Sequence, residues 1–203
     1  MIVLAIDTSA GTSVAALCDG TPVAVSDDQN PRGHAEAVGR LVARTLDAAE
    51  IAPADVDLVV VGVGPGPFTG LRVGIAAGVG FAAGAGCPVV GVPSHDAVAL
   101  DALAPAEPCD ISVATDARRH EVFVTDYDRL DEHGIPHQTR PARTEPQDWP
   151  EHSDRVVVSP SIPALGLGRI AWLRHRAGLS QRDTAPIYVR QPDVGRARPK
   201  RVL

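Results

Sequence analysis

The chain of 203 residues has a single lysine, Lys200, close to its end. A phosphate clamp built on a lysine ammonium is therefore excluded from the body of the protein, and no GxxxxGK[ST] loop occurs. Aromatic side chains are almost as scarce, with three Phe, two Trp and two Tyr. That is too few for the stacking platforms on which proteins splay single-stranded bases. The three cysteines, Cys18, Cys87 and Cys109, have neither CxxC nor Cys/His ligand spacing, which predicts reduced thiols. No HExxH is present, no two histidines lie four apart on an expected helix, and GxSxG is absent, so metal-hydrolase and serine-hydrolase signatures are missing. Residues 73–93 carry no charge. Five glycines within 73–86 and few bulky side chains nevertheless argue against a membrane span. No signal peptide is evident at the start, and the expectation is a cytoplasmic protein with no membrane contact.

What is present suits a soluble globular protein: 44% apolar and 22% charged residues, enough chain for one domain or two small ones. The net charge of −6 hides an asymmetry. Residues 1–160 hold 10 basic against 23 acidic side chains, and residues 161–203 hold 9 against 2. A basic end on an acidic body can meet RNA phosphate, an acidic partner or its own body.

The chain is organised around residues 58–86, LVVVGVGPGPFTGLRVGIAAGVGFAAGAG. The β-branched run 58–63 predicts a strand buried on both faces. Gly64-Pro65-Gly66-Pro67 has the order of a type II turn, with positive φ at the third residue. Thr69 is placed to cap a helix over 70–85. In that helix Gly70, Gly74, Gly78 and Ala82 recur every fourth residue as a stripe almost without side chains. Each interior glycine costs about 0.8–1 kcal/mol of helix propensity, which suits a helix pressed against another backbone. The stripe fits either a core helix of its own domain or a surface completed by another subunit.

Upstream, 2–6 and 12–18 read as strands, Asp19-Gly20 as a hairpin turn and 22–26 as a third strand. Asp7, Thr8, Ser9 and Thr12 follow the first strand, as in loops that wrap phosphate oxygens. Residues 34–50 form the clearest amphipathic helix, with Val38, Leu41, Val42 and Thr45 on its apolar face. Residues 89–92 predict a strand and 94–103 a helix that places His95 and Asp96 at an exposed start. Composition shifts near 105–108, dividing the chain into lobes 1–106 and 107–203. Beyond it, 111–114 and 121–126 flank a turn at 116–119. The proline-rich stretch 134–154 reads as a long loop and 156–158 as a short strand. A basic helix over 165–177, an edge strand at 187–189 and a mobile tail from 195 complete the chain. The class is α/β with mixed sheets flanked by helices.

The segments VLAIDTSAGTSVAAL, VGVGPGPFTGLRVGIAAGVGFA, GVPSHDAVA, TDARRHEVFV and PIYVRQPD, in that order, resemble the TsaB family, a subunit of the bacterial machinery that makes threonylcarbamoyladenosine in tRNA. Pro67 stands where the family usually has Ser, and His120 follows DARR where a small or polar residue is common. The resemblance implies two lobes of the actin/hexokinase/Hsp70-type ATPase (ASKHA) fold, the second reduced. It implies a non-catalytic scaffold for TsaD, the subunit that transfers the threonylcarbamoyl group. TsaD carries two metal-binding histidines in the segment matching 91–98, and Ser94 and Val98 occupy those places here, so no metal is expected. The helices over 34–50 and 70–85 are expected to pack on the same pair in TsaD, or on a second copy in a homodimer. The implied interface comprises Val38, Leu41, Val42 and Thr45 of the first helix, with Arg72, Val73, Gly74, Ala77, Gly78 and Phe81 of the second. Asp7, Thr8, Ser9 and Thr12 are then a vestigial phosphate loop. No cofactor is required by the chain, ATP or ADP belongs at the interface of the complex, TsaE docks on it, and tRNA is reached through the complex. The open alternatives are a phosphotransferase of the same fold, a glycoprotease, and direct tRNA capture by Arg169, Arg174, Arg176, Arg196, Arg198, Lys200 and Arg201.

Overall fold

The computed structural model describes residues 1–28, 33–104, 109–149 and 153–190. Strand β1 (Ile2–Asp7) is the centre of the first sheet. It pairs antiparallel with β2 (Thr12–Cys18), which pairs antiparallel with β3 (Thr21–Asp28), and on its other side it runs parallel to β4 (Leu58–Gly62), then β5 (Val89–Val92). Asp19 and Gly20 between β2 and β3 both have positive φ, 49° and 77°, the backbone that a two-residue hairpin turn of matching twist requires. Helices α1 (His34–Ala49) and α2 (Phe68–Ala85) cover one face, and α3 (Ser94–Leu103) and α4 (Ala164–Arg176) the other. Alternation along β1 sends Leu4 and Ile6 into the core under α1 and α2, and Val3 and Ala5 into the core under α3 and α4. This is why an uncharged strand was legible in the sequence.

A second sheet has the order β8-β7-β6-β9. It is formed by β6 (Ile111–Arg118), β7 (Glu121–Leu130), β8 (Pro136–Pro146) and β9 (Arg155–Val158). Its Ile111, Val113 and Tyr127 join the core beneath α3 and α4, so one continuous apolar cluster links the two sheets.

Five expectations differ from what is observed. Residues 136–146 are not loop but the edge strand β8. Prolines are tolerated there because an edge strand has one side on which no ladder N–H is needed, and the β7–β8 register shifts three times. Helix α4 lies on β1 and β2 of the first sheet, so the chain after the second sheet returns to the first instead of staying in a 107–203 lobe. Residues 187–189 form no strand. Instead the segment after α4 is a strap, held where Gly91 N–H donates to Arg182 O (3.0 Å) and Ile187 N–H to Val63 O (2.7 Å). At the 64–67 turn the positive φ falls on Gly64 (97°) rather than Gly66, and the Gly64–Pro65 peptide is cis. Helix α2 starts at Phe68 after Pro67, with no side-chain cap, so Thr69 lies inside its first turn. The tail expected from 195 lies outside the described residues.

Candidate functional site

The loop after β1 is closed upon itself. Asp7 Oδ1 accepts from Ser9 N–H (2.7 Å) and Ser9 Oγ (2.6 Å), and Oδ2 accepts from Ser94 Oγ (2.6 Å) at the start of α3. Ser94 Oγ in turn accepts from Gly64 N–H (3.0 Å). Desolvation raises the Asp7 pKa, and the hydroxyl and amide donors oppose that rise. Gly62 is obligatory beside it, since a Cβ there would overlap the Asp7 carboxylate. Thr8 is committed to α2: its hydroxyl donates to Gly70 O (2.6 Å) and accepts from Gly74 N–H (2.9 Å). Those are the two groups an unbroken helix would join to one another. Thr12 is buried and also has a partner. The four residues of the expected phosphate loop are thus buried near the ends of β1 and β2, and the polar groups of Asp7, Thr8 and Ser9 are bonded within the chain.

The same contacts turn part of the expected interface inward. Gly70, Gly74, Gly78 and Ala82 face inward, onto the chain's own sheet. A Cβ at Gly74 would strike Thr8 Oγ1, and one at Gly78 would strike Val61 Cγ1. Val38, Leu41 and Thr45 are likewise buried in the core under α1 and α2. Val42, Val73, Ala77 and Phe81 are half-buried against that same core. Arg72 is exposed but engaged: its guanidinium carbon lies 3.9 Å from the Phe68 ring centroid, and its Nε donates to Tyr188 Oη (2.9 Å) on the strap.

What α2 turns outward is a second stripe of period four, Arg72, Ala76, Gly80 and Gly84, flanked by Val79 (41% exposed) and Ala83. A Cβ added at Gly80 or Gly84, or at Gly39 on α1, would meet nothing within 4 Å among the described residues. After Arg72 this face has no charge. Sequence reasoning missed it because both stripes are small and apolar; the outward one shows its nature only through the lack of neighbours.

The two metal-ligand places of the resemblance are filled by Ser94, spent as described, and by Val98, buried in the core. His95 was expected at an exposed helix start, yet it is 0% exposed. Its Nδ1 lies 2.8 Å from Thr125 Oγ1 and its Nε2 2.9 Å from Thr115 Oγ1, tying α3 to β7 and β6. Desolvation pushes its pKa down to about 3, so the ring is neutral. Asp96 accepts from Tyr127 Oη (2.7 Å) and burial pushes its pKa up to about 6. Of the basic residues considered for RNA, Arg174 bonds to Ser180 O and Arg176 stacks 4.9 Å over Trp172. Arg196, Arg198, Lys200 and Arg201 lie outside the described residues.

These features define an α/β protein of two mixed sheets flanked by helices, with the loop after its first strand consumed by internal bonds and an apolar face of α2 left exposed. Comparison with known proteins narrows the class. A family model described as TsaD, tRNA N6-adenosine threonylcarbamoyltransferase, matches residues 28–140. The tRNA threonylcarbamoyladenosine biosynthesis protein TsaB of Escherichia coli is 35% identical over 90% of this chain and 79% of its own length. An uncharacterized protein of Mycobacterium tuberculosis is 35% identical over 95% of this chain and 93% of its own. The crystal structure of an uncharacterized Pseudomonas aeruginosa protein with similarity to peptidase YeaZ superposes with a TM-score of 0.79 at 26% identity, covering 93% of this chain and 99% of that one. The chain belongs to the TsaB family.

Proposed function

We propose that the chain is the non-catalytic subunit of tRNA threonylcarbamoyladenosine biosynthesis that binds and activates TsaD for threonylcarbamoyl transfer to the adenosine beside the tRNA anticodon. The observation that carries this is the outward stripe of α2. Ala76, Gly80 and Gly84 leave a helix backbone open to close approach, where a facing helix can pack at short axial distance. Exposed interior glycines on a helix face that no other described part of the chain covers cost about 0.8–1 kcal/mol each, and a partner helix offsets that cost. The internally bonded Asp7–Ser9 loop supports a scaffold rather than a phosphotransferase, because the groups that would surround a phosphate already serve Asp7 and α2.

On this reading the chain works in the cytoplasm and requires no cofactor, any ATP or ADP binds at the interface of the complex, and TsaE docks on that complex. A homodimer uses the same face when TsaD is absent, and tRNA is held by the complex as a whole. Co-purification with TsaD, followed by a modification assay with each subunit omitted, tests it. The isolated chain is expected to turn over neither ATP nor tRNA, and TsaD activity to depend on it. Gly80→Leu and Gly84→Leu are expected to abolish co-purification while the variants remain folded. Normal TsaD binding by both variants would sink the proposed surface.

A further inference from the structure

A cavity of about 220 Å³ lies where the carboxyl ends of β4 and β5 meet the second sheet and the strap. Pro65, in the loop after β4, and Pro93, just after β5, line it together with Arg182 and Ile187 of the strap. Crevices beyond the carboxyl ends of parallel strands are where open α/β sheets bind ligands. Apolar pockets with a few convergent polar groups and shifted titratable residues are the default binding-site candidates. Both conditions hold here. Thr125 and Tyr127 line the wall from β7, and their hydroxyls are fixed by His95 and Asp96. The positive charge of Arg182 is felt by both Asp96 and Tyr127.

Size and wall chemistry set the ligand class. The volume is that of about seven waters and lies below the roughly 300–1,000 Å³ of sites for drug-sized ligands, which suits a ligand smaller than an adenine nucleotide. The lining is mainly proline and aliphatic, and its one named cationic residue, Arg182, is exposed.

We propose that this cavity binds a small organic acid of up to about ten non-hydrogen atoms, its carboxylate paired with Arg182 and its apolar body between the prolines. The site involves none of the outward residues of α2, so it stands independently of the TsaD-binding role. The groups facing Asp96 are Tyr127 from β7, Arg182 from the strap and Arg174 from α4. Ionised Asp96 competes with an incoming carboxylate for Arg182; protonated Asp96 does not. Binding is therefore expected to tighten as pH falls.

The test is titration of the isolated full-length chain with benzoate, with uncharged benzamide and with ATP, followed by two-dimensional NMR at pH 5.5 and 7.5. Benzoate is expected to bind saturably, more tightly at pH 5.5, with benzamide at least tenfold weaker and ATP causing no shifts at the cavity. Arg182→Gln is expected to weaken benzoate at least tenfold, and Ala142→Phe, which fills the cavity from β8, to abolish binding while leaving the melting temperature and TsaD co-purification unchanged. In Asp96→Asn the pH dependence is expected to vanish. Equal affinity for benzoate and benzamide, binding retained in both the Arg182 and Ala142 variants, or no saturable binding at either pH overturns the site. Each of those failures leaves the TsaD experiment unaffected.

Discussion

The Ser94 hydroxyl donates to Asp7 Oδ2 across 2.6 Å, joining the start of α3 to the end of β1 between residues 87 positions apart in the chain. The same oxygen accepts from Gly64 N–H, so one small side chain fastens the ends of β1, the loop after β4 and α3 together. Ser94→Ala leaves a buried carboxylate oxygen and a buried amide each short of a partner. Each such group costs about 1–3 kcal/mol. Urea denaturation of the variant is expected to show a loss in that range or above, partly recovered by the double variant Ser94→Ala with Asp7→Asn.

The two glycine stripes of α2 predict opposite outcomes for the same substitution. Gly78→Leu drives a side chain into Val61, and overpacking of this kind costs about 1–3 kcal/mol or more. Gly80→Leu enters open space and replaces the poorer helix former, so the isolated chain is expected to gain roughly 0.5–1 kcal/mol. Thermal melts of the two variants side by side measure the contrast.

Thr45 on α1 is fully buried, and its hydroxyl has no hydrogen-bond partner among the described residues. Thr45→Val keeps the shape and removes an unsatisfied polar atom. An increase of about 1 kcal/mol is expected in the free energy of unfolding, and a decrease would mean that the hydroxyl is satisfied in solution.

Stability is expected to respond to acid through two neighbouring residues with opposite signs. The folded chain holds His95 neutral with its pKa lowered from 6.5 to about 3, so the unfolded chain binds more protons between those values and stability is lost as pH falls through them. Asp96 is raised from 3.8 to about 6, so the folded chain binds more protons and stability is gained as pH falls from 6 towards 3.8. The difference in unfolding free energy between Asp96→Asn and the native chain is expected to grow in favour of the variant between pH 4 and pH 7, by on the order of 1–3 kcal/mol. A difference that stays flat across that interval would show that Asp96 titrates normally.

Much of the fold was legible because burial leaves a periodic trace. The uncharged runs 2–6 and 58–63, the 34–50 helix and the Asp-Gly turn all follow from local pattern. Strand β8 was hidden because its prolines imitate a loop, and only its place at the sheet edge makes them harmless. His95 was misplaced because a histidine at a helix start carries no sign of the Thr115 and Thr125 hydroxyls that come to it from another sheet. Ser94 was missed as a structural partner of Asp7 for the same reason.

The sequence by itself determined that α2 is a charge-poor helix with too many glycines to be an ordinary surface helix, since composition and period are local properties. Which side of that helix is spent on its own sheet, and which is left for another molecule, was decided only by the tertiary structure. A glycine at 78 and a glycine at 80 are chemically identical. They differ only in whether Val61, seventeen residues or more away along the chain, stands opposite or nothing does.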